Sequence, residues 1–372
     1  MGTEPRHSNT PILQHSITPL LRRKTRQVRV GGLLIGGDAP VSVQSMTNAP
    51  TSDVAATVAQ IHRLEEAGCD LVRVAVPDQD AADVLAEIKR QIHIPLAADI
   101  HFDYRLALAA IEQGVDKLRL NPGNITDPDK IGLIADRARE RGIPIRIGVN
   151  AGSIDRKRYE LTPKGLVQSA LDEIALLESR DFTDIVISLK AFDVPMTIEA
   201  YRLMSERVEY PLHLGITEAG LLRQGTIRSS VGIGALLAMG IGDTLRVSLT
   251  ADPVEEIRVG IEILKSLDLR RSGFTLISCP TCARCGIDLI AVVTEVERRL
   301  EEMKDLAPIT VAVMGCEVNG PGEAREADVG IAGAKDGGVI FAGGQAIRKV
   351  SAADMVNELI AEVRRVADRT IL

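Results

Sequence analysis

Between residues 41 and 249 the chain repeats one pattern: a short β-branched run, a turn, then an amphipathic stretch. The runs fall at 41–46, 71–76, 96–101, 117–121, 143–150, 185–190, 212–217 and 244–249. Between them apolar residues recur at helical spacing, as in Val54, Val58, Ile61 and Leu64. Thr51-Ser52-Asp53 supplies an N-cap for that first helix. Strands alternating with helices over roughly 210 residues predict a (β/α)8 TIM barrel, an α/β fold.

Alternation inside the runs says which side chains point inward. Ile185, Ile187 and Leu189 share one face, and Val186, Ser188 and Lys190 the other. Ile145, Ile147 and Val149 likewise oppose Arg146, Gly148 and Asn150. Leu118 and Leu120 oppose Arg119 and Asn121, and Leu245 and Val247 oppose Arg246 and Ser248. In a barrel the apolar face must meet the helices, so the polar set faces the axis. That axis would then hold Gln44, Arg73, Asp99, His101, Arg119, Asn121, Arg146, Asn150, Lys190, His213, Arg246 and Ser248. Barrel interiors are normally filled with Val, Ile and Leu.

Four arginines and a lysine stand there against Asp99 and the nearby Glu218. Each cation alone is equally well read as a salt bridge at the barrel floor or as a solvent-reaching side chain. Five on five strands point to a bound anion, because burying an unpaired charge costs several kcal/mol. The planar fork of arginine favours phosphate or diphosphate.

After Leu267 the rhythm changes. Strands are expected at 274–278, 309–314, 329–333 and 339–342, with helices at 287–303 and 352–367. Lys335-Asp336-Gly337-Gly338 reads as a hairpin turn. The expected division is a loose extension over 1–22, a barrel over 23–268 and a smaller metal-carrying α/β domain over 269–372.

Cys279-Pro280-Thr281-Cys282 directly follows the first of these strands, and Gly315-Cys316 the second. A strand–helix–strand crossover makes those strands parallel, so the two thiol groups should emerge at one edge. Redox dithiols, zinc sites and iron–sulfur sites all use C-x-x-C. Dithiol chemistry leaves Cys316 unexplained, and a closed zinc site wants four Cys or His ligands, whereas no histidine follows Cys316. Glu323, in the Gly- and Pro-rich loop after Cys316, is a possible carboxylate ligand that a substrate could displace. Cys285 extends the motif to C-x-x-C-x-x-C or is a packed helix thiol; Cys69 is read as a core residue.

Composition narrows the class. Across 372 residues, 45% hydrophobic and 26% charged content is that of an ordinary soluble globular protein. With 2% aromatic residues, no tryptophan and a net charge of -7, stacking on nucleobases and nucleic-acid binding are poor fits. Five cysteines make no disulfide framework and suit a reducing compartment such as the cytoplasm.

Longer motifs carry a resemblance. They include Val43-Gln44-Ser45-Met46-Thr47-Asn48, Ala98-Asp99-Ile100-His101-Phe102-Asp103-Tyr104-Arg105, and Arg119-Leu120-Asn121-Pro122-Gly123-Asn124-Ile125. Arg146-Ile147-Gly148-Val149-Asn150-Ala151-Gly152, His213-Leu214-Gly215-Ile216-Thr217-Glu218-Ala219-Gly220 and Gly242-Asp243-Thr244-Leu245-Arg246-Val247-Ser248 continue the series. With the two cysteine motifs they closely resemble the IspG/GcpE family of bacterial hydroxymethylbutenyl diphosphate synthases. The resemblance implies reductive ring opening and dehydration of methylerythritol cyclodiphosphate, a step of isoprenoid biosynthesis. It implies one 4Fe-4S cluster on Cys279, Cys282 and Cys316, with Glu323 as fourth, exchangeable ligand. Arg73, Arg119, Arg146, Asn150, Lys190, Arg246 and Ser248 would clamp the diphosphate, and Glu218 would be the proton donor. A homodimer, and flavodoxin or ferredoxin as electron donor, are implied as well. The competing readings are a barrel transferase with a zinc-stapled tail and a non-enzymatic iron–sulfur carrier.

Overall fold

The structure is a computed structural model that describes residues 21–121, 124–125, 127–303, 306–316 and 327–370. The chain divides between Leu267 and Asp268 into two compact units.

In the first unit a hairpin, β1 (Val28–Val30) and β2 (Leu33–Ile35), precedes the barrel. The barrel strands are β3 (Ser42–Met46), β4 (Leu71–Ala75), β5 (Leu96–Ile100), β6 (Lys117–Leu120) and β7 (Ile145–Asn150). They continue as β8 (Ile185–Lys190), β9 (His213–Leu214) and β10 (Thr244–Leu245). All pair in parallel in the order β8-β7-β6-β5-β4-β3-β10-β9, and a parallel bridge from Ile187 to Leu212 closes the ring. This is a TIM barrel. β9 and β10 are shorter than the apolar runs suggest. After β9, Gly215 lies where a Cβ would sit 2.6 Å from both the Arg246 carbonyl oxygen and the Lys190 ammonium. The chain is crowded there and leaves ladder geometry.

The helices are α1 (Val54–Glu66), α2 (Gln79–Asp83), α3 (Leu85–Arg90), α4 (Tyr104–Glu112) and α5 (Pro128–Arg141). Then follow α6 (Pro163–Glu178), α7 (Val194–Ser205), α8 (Leu222–Ala238) and α9 (Pro253–Ser266). Asp53, Asp103, Asp127, Asp193 and Asp252 each accept a backbone N–H of the helix they precede, as N-caps do. Proline in the first turn starts α5, α6, α7 and α9, where its missing N–H costs nothing. The outward faces of the strands and the inward faces of the helices form the main core.

The hairpin was not visible in the sequence pattern. Its Val28, Val30 and Ile35 pack on Leu71, Ala97 and Val186, the inward residues nearest the N-terminal ends of their strands. One end of the barrel is thereby sealed with apolar side chains, and most of the polar inward positions are left toward the other end, Gln44 and Lys117 lying level with Leu71 and Ala97.

The second unit is a five-stranded sheet ordered β11 (Phe274–Ser278), β12 (Ile309–Met314), β13 (Val329–Ala334), β14 (Gly337–Ala342) and β15 (Gln345–Ser351). The first three are parallel and the last two antiparallel. Helices α10 (Leu289–Glu301) and α11 (Met355–Thr370) cover one face, where Val296, Leu300, Leu359 and Val363 meet Val311, Val313, Ile331 and Ile340. β15 is an exposed edge strand rich in polar residues, which is why the hydrophobic pattern does not announce it. No helix among the described residues is long and apolar enough to cross a membrane.

Candidate active site and metal centre

Parallel strands place the C-terminal ends of β3 to β10 at one mouth. A cavity of about 230 Å³ opens there, lined by Met46, Arg73, Asp99, His101, Arg119, Arg146, Asn150, Lys190, Thr217, Arg246 and Ser248. Every residue assigned to the diphosphate clamp is on this wall. Gln44 and His213 also point inward but lie deeper and fully buried. Asn121 instead donates from Nδ2 to Ser153 Oγ at 3.0 Å, tying down the turn after β7.

Two carboxylates answer the five cations. Asp99 is shared, with Oδ1 3.0 Å from Arg119 Nη1 and Oδ2 3.3 Å from Arg73 Nε. Glu256, on α9, lies 3.2 Å from Arg246 and also accepts from Ser45 Oγ and the Leu249 N–H. Among the described residues no carboxylate pairs with Arg146 or Lys190. Arg146 donates from Nη1 to Ser188 Oγ at 2.6 Å, while its buried Nε and Nη2 have no partner. Arg119 Nε is equally unsatisfied. Gly148 makes room for that guanidinium, since a Cβ there would lie 2.5 Å from Nε.

The protonation equilibria register the same imbalance. Burial pushes the Asp99 carboxyl up, but Arg73 and Arg119 outweigh it and hold it at about 2. Burial, only partly offset by Asp99, lowers Arg73 to about 10. Arg146 and Lys190 are pulled well below their usual values, by burial first and then by neighbouring cations. Stranded donors and mutually repelling cations are the marks of a site that gains stability when an anion enters.

Sequence reasoning missed two charged members, besides Met46 and Thr217 of the wall. Lys117 is fully buried below Arg119 and donates to Gln44 Oε1 at 3.1 Å; burial and Arg146 hold its ammonium well below the usual range. The alternation that turns Arg119 inward also turns Lys117 inward, so the signal was present. Glu256 gave no such signal, because it reaches the strands from a helix. Glu218 stands directly after Thr217 of the cavity wall, but its own side chain is exposed at the rim, with a backbone φ of 55°. Positive φ at a non-glycine residue is strained and clusters at functional sites.

In the second unit β11 and β12 pair in parallel from Phe274↔Ile309 to Ser278↔Val313. Cys279 and Gly315-Cys316 therefore leave the sheet at the same edge, and the Gly315 N–H donates to Cys279 Sγ at 3.2 Å. Cys282 is exposed, and its thiol pKa is lowered chiefly by the backbone N–H of Arg284. Cys316 is half-buried. Cys285 lies beside this edge: its Sγ donates to the Ile287 carbonyl at 3.2 Å, and a Cβ on Gly315 would sit 2.6 Å from that sulfur. A single tetrahedral zinc would draw sulfurs to about 3.8 Å apart. Cys279, Cys282 and Cys316 do not have all their sulfurs within 4.8 Å of one another. The donor set, thiolates with a backbone N–H aimed at one sulfur, fits a wider iron–sulfur centre. Glu323 lies outside the described residues. Cys69 is buried with its thiol pushed up to about 12 by burial, an inert core group.

Comparison with known proteins agrees with this geometry. A model described as the GcpE TIM-barrel domain matches residues 25–261, and one described as the GcpE protein C-terminal domain matches residues 275–365. The 4-hydroxy-3-methylbut-2-en-1-yl diphosphate synthase (flavodoxin) of Geobacillus thermodenitrificans is 58% identical over 351 residues, 93% of each chain. The protein of the same name from Geobacter sulfurreducens is 58% identical over 350 residues, 93% of this chain and 99% of its own. Among solved structures, Yersinia pestis dihydropteroate synthase has a TM-score of 0.50 at 12% identity, over 65% of this chain and 97% of its own. Type I 3-dehydroquinate dehydratase from Clostridium difficile also reaches 0.50, at 14% identity, over 66% and 97%. These two likenesses concern the barrel fold alone.

Proposed function

The chain belongs to the GcpE family, and from that premise we infer that it opens the ring of 2-C-methyl-D-erythritol 2,4-cyclodiphosphate reductively to give 4-hydroxy-3-methylbut-2-enyl diphosphate. It is thus an oxidoreductase of the methylerythritol phosphate route to isoprenoids. The names of its relatives support this reading and not the transferase with a zinc tail. The observation that carries the site assignment is the cup of under-compensated cations at the barrel mouth.

Arg73, Arg119, Arg146, Lys190 and Arg246 bind and orient the diphosphate, with Asn150 and Ser248 as neutral hydrogen-bonding partners. Asp99 holds two of the guanidinium groups in place, and Glu256 holds a third. These cationic side chains already line the cavity before substrate arrives, so little reorganisation is needed on binding. The Glu218 carboxyl at the rim is the candidate donor of the proton that turns the departing oxygen into water. An iron–sulfur centre of the 4Fe-4S type, held by Cys279, Cys282 and Cys316 with Glu323 as a replaceable ligand, would supply the electrons and a Lewis-acidic iron. Electrons come from a flavodoxin, the donor named in the relatives, or from a ferredoxin. The working form is a homodimer in a reducing compartment such as the cytoplasm.

Iron content tests this directly. Protein purified without oxygen should be brown and carry roughly four irons per chain. Glu323→Ala should keep the colour and lose most turnover. Zinc in place of iron in colourless protein would remove the cluster, and full activity in Glu323→Ala would remove the replaceable ligand.

A further inference from the structure

A second group of ligand-type side chains gathers at the opposite, N-terminal face of the barrel. α1 carries His62 and Glu65 three residues apart, on one side of the helix, and the connection from α3 to β5 brings His93 against them. One donor atom from each lies within 4.8 Å of the other two, and among the described residues no other trio of His, Cys, Asp and Glu is drawn so close. His93 Nδ1 is 3.0 Å from Glu65 Oε2, and the two imidazole rings are 5.9 Å apart.

The carboxylate is fixed in advance. Glu65 Oε1 accepts the N–H groups of His93 and Ile94 at 2.6 and 3.1 Å, which leaves Oε2 turned to the imidazole of His93. The Gln91 carbonyl oxygen, 2.8 Å from His62 Nε2, adds a fourth donor. His93 also lines a cleft of about 440 Å³ that gives a path from solvent.

We propose that His62, Glu65 and His93 bind a divalent transition-metal ion, zinc foremost, and thereby tie the last turn of α1 to the loop entering β5. Two imidazoles with one carboxylate are a zinc donor set; magnesium and calcium prefer oxygen alone. Around zinc at about 2.0–2.1 Å the donors stand about 3.4 Å apart, so side-chain rotation suffices to close the site. The Gln91 carbonyl or a water takes the fourth position. The competing account is that the same groups form a finished hydrogen-bonded clamp with no need of an ion.

Calorimetric titration of the cluster-loaded enzyme with zinc chloride, under anaerobic conditions, separates the two. Wild type should saturate at one zinc per chain. His93→Ala and His62→Gln should each weaken uptake on the order of 100-fold or more, since even outer-shell partners are worth 10- to 100-fold. Glu65→Gln, which still accepts the two N–H groups, should do the same, and turnover should be unchanged in all three. The comparison between wild type and His93→Ala cancels any zinc taken by the cysteines. Identical titrations of those two proteins, or no uptake by wild type, would overturn the site.

Discussion

Replacing Arg146 by methionine should make the protein more stable and, at the same time, much poorer at holding diphosphate. Arg146 is 2% exposed, and among the described residues its only hydrogen-bond partner is Ser188. Its Nε and Nη2 are buried donors with nothing to donate to, and each such group costs about 1–3 kcal/mol. Among the described residues no carboxylate pairs with it, because Asp99 is already divided between Arg73 and Arg119. Against this, the variant forfeits one bond to Ser188, worth about 1 kcal/mol. Exchanging buried ionic groups for apolar ones of similar volume commonly stabilises by about 1–4 kcal/mol, and Arg146 meets the conditions for it.

Binding should move the other way. Hydrogen bonds from a charged donor contribute about 1.5–3 kcal/mol, so the dissociation constant for inorganic diphosphate should rise about 10- to 150-fold. Urea unfolding of the cluster-loaded protein gives the first quantity, as a higher midpoint with an unchanged slope. Calorimetric titration with diphosphate gives the second. A variant that is less stable by more than about 1 kcal/mol, yet binds diphosphate as wild type does, would show that Arg146 is a structural group and refute the anion cup.

Glu256→Ala should lose about 3–5 kcal/mol, because it strands Arg246, Ser45 Oγ and the Leu249 N–H in a buried place. Its KM should rise more than its kcat falls, and Glu256→Gln should recover part of both; an alanine variant as stable as wild type would count against the anchor. Glu173 on α6 is a pH-dependent liability: burial lifts its carboxyl from 4.5 to about 7, with Arg158 pulling weakly the other way. An acid with a raised folded-state pKa favours the fold fully below about pH 4, and that contribution is lost as pH rises toward 7. Glu173→Gln should therefore stabilise by up to roughly 3 kcal/mol at pH 8 and be neutral at pH 4. Equal effects at both pH values in thermal unfolding would show that the carboxyl is not strained by burial.

The barrel and its charged interior were legible because both follow from a period of two on strands whose other face is buried. Once Ile145, Ile147 and Val149 must meet the helices, Arg146 has nowhere to point but inward. The cysteine edge was legible for a topological reason, the parallel pairing of β11 and β12. What escaped was short or lay off the strands. The three-residue strands β1 and β2 are too brief to show a period, and Glu256 reaches the site from a helix, where strand alternation is silent. His62, Glu65 and His93 are joined only by the fold, which brings a loop residue 28 positions away onto the helix.

The cup also depends on what the helices do not offer. Helix N-termini stand at the carboxyl ends of the strands, and each could hold an anion with its free N–H groups. Here α1, α2, α4, α5, α6, α7 and α9 are all closed by their own Asp or Thr caps. In each of these a carboxylate or hydroxyl accepts one of the free N–H groups, and the aspartates add negative charge around the mouth. Among the described residues α8 alone of the longer barrel helices has no side-chain cap, so attraction for a diphosphate rests chiefly on the inward cations, which are costly to bury and would be replaced by Val or Leu if packing were their purpose. The apolar plug of Val28, Val30 and Ile35 sharpens the point. With one end sealed, the uncompensated charge, Lys117 excepted, is gathered at the end at which the cavity opens, so most of the cost in stability falls where a substrate can relieve it.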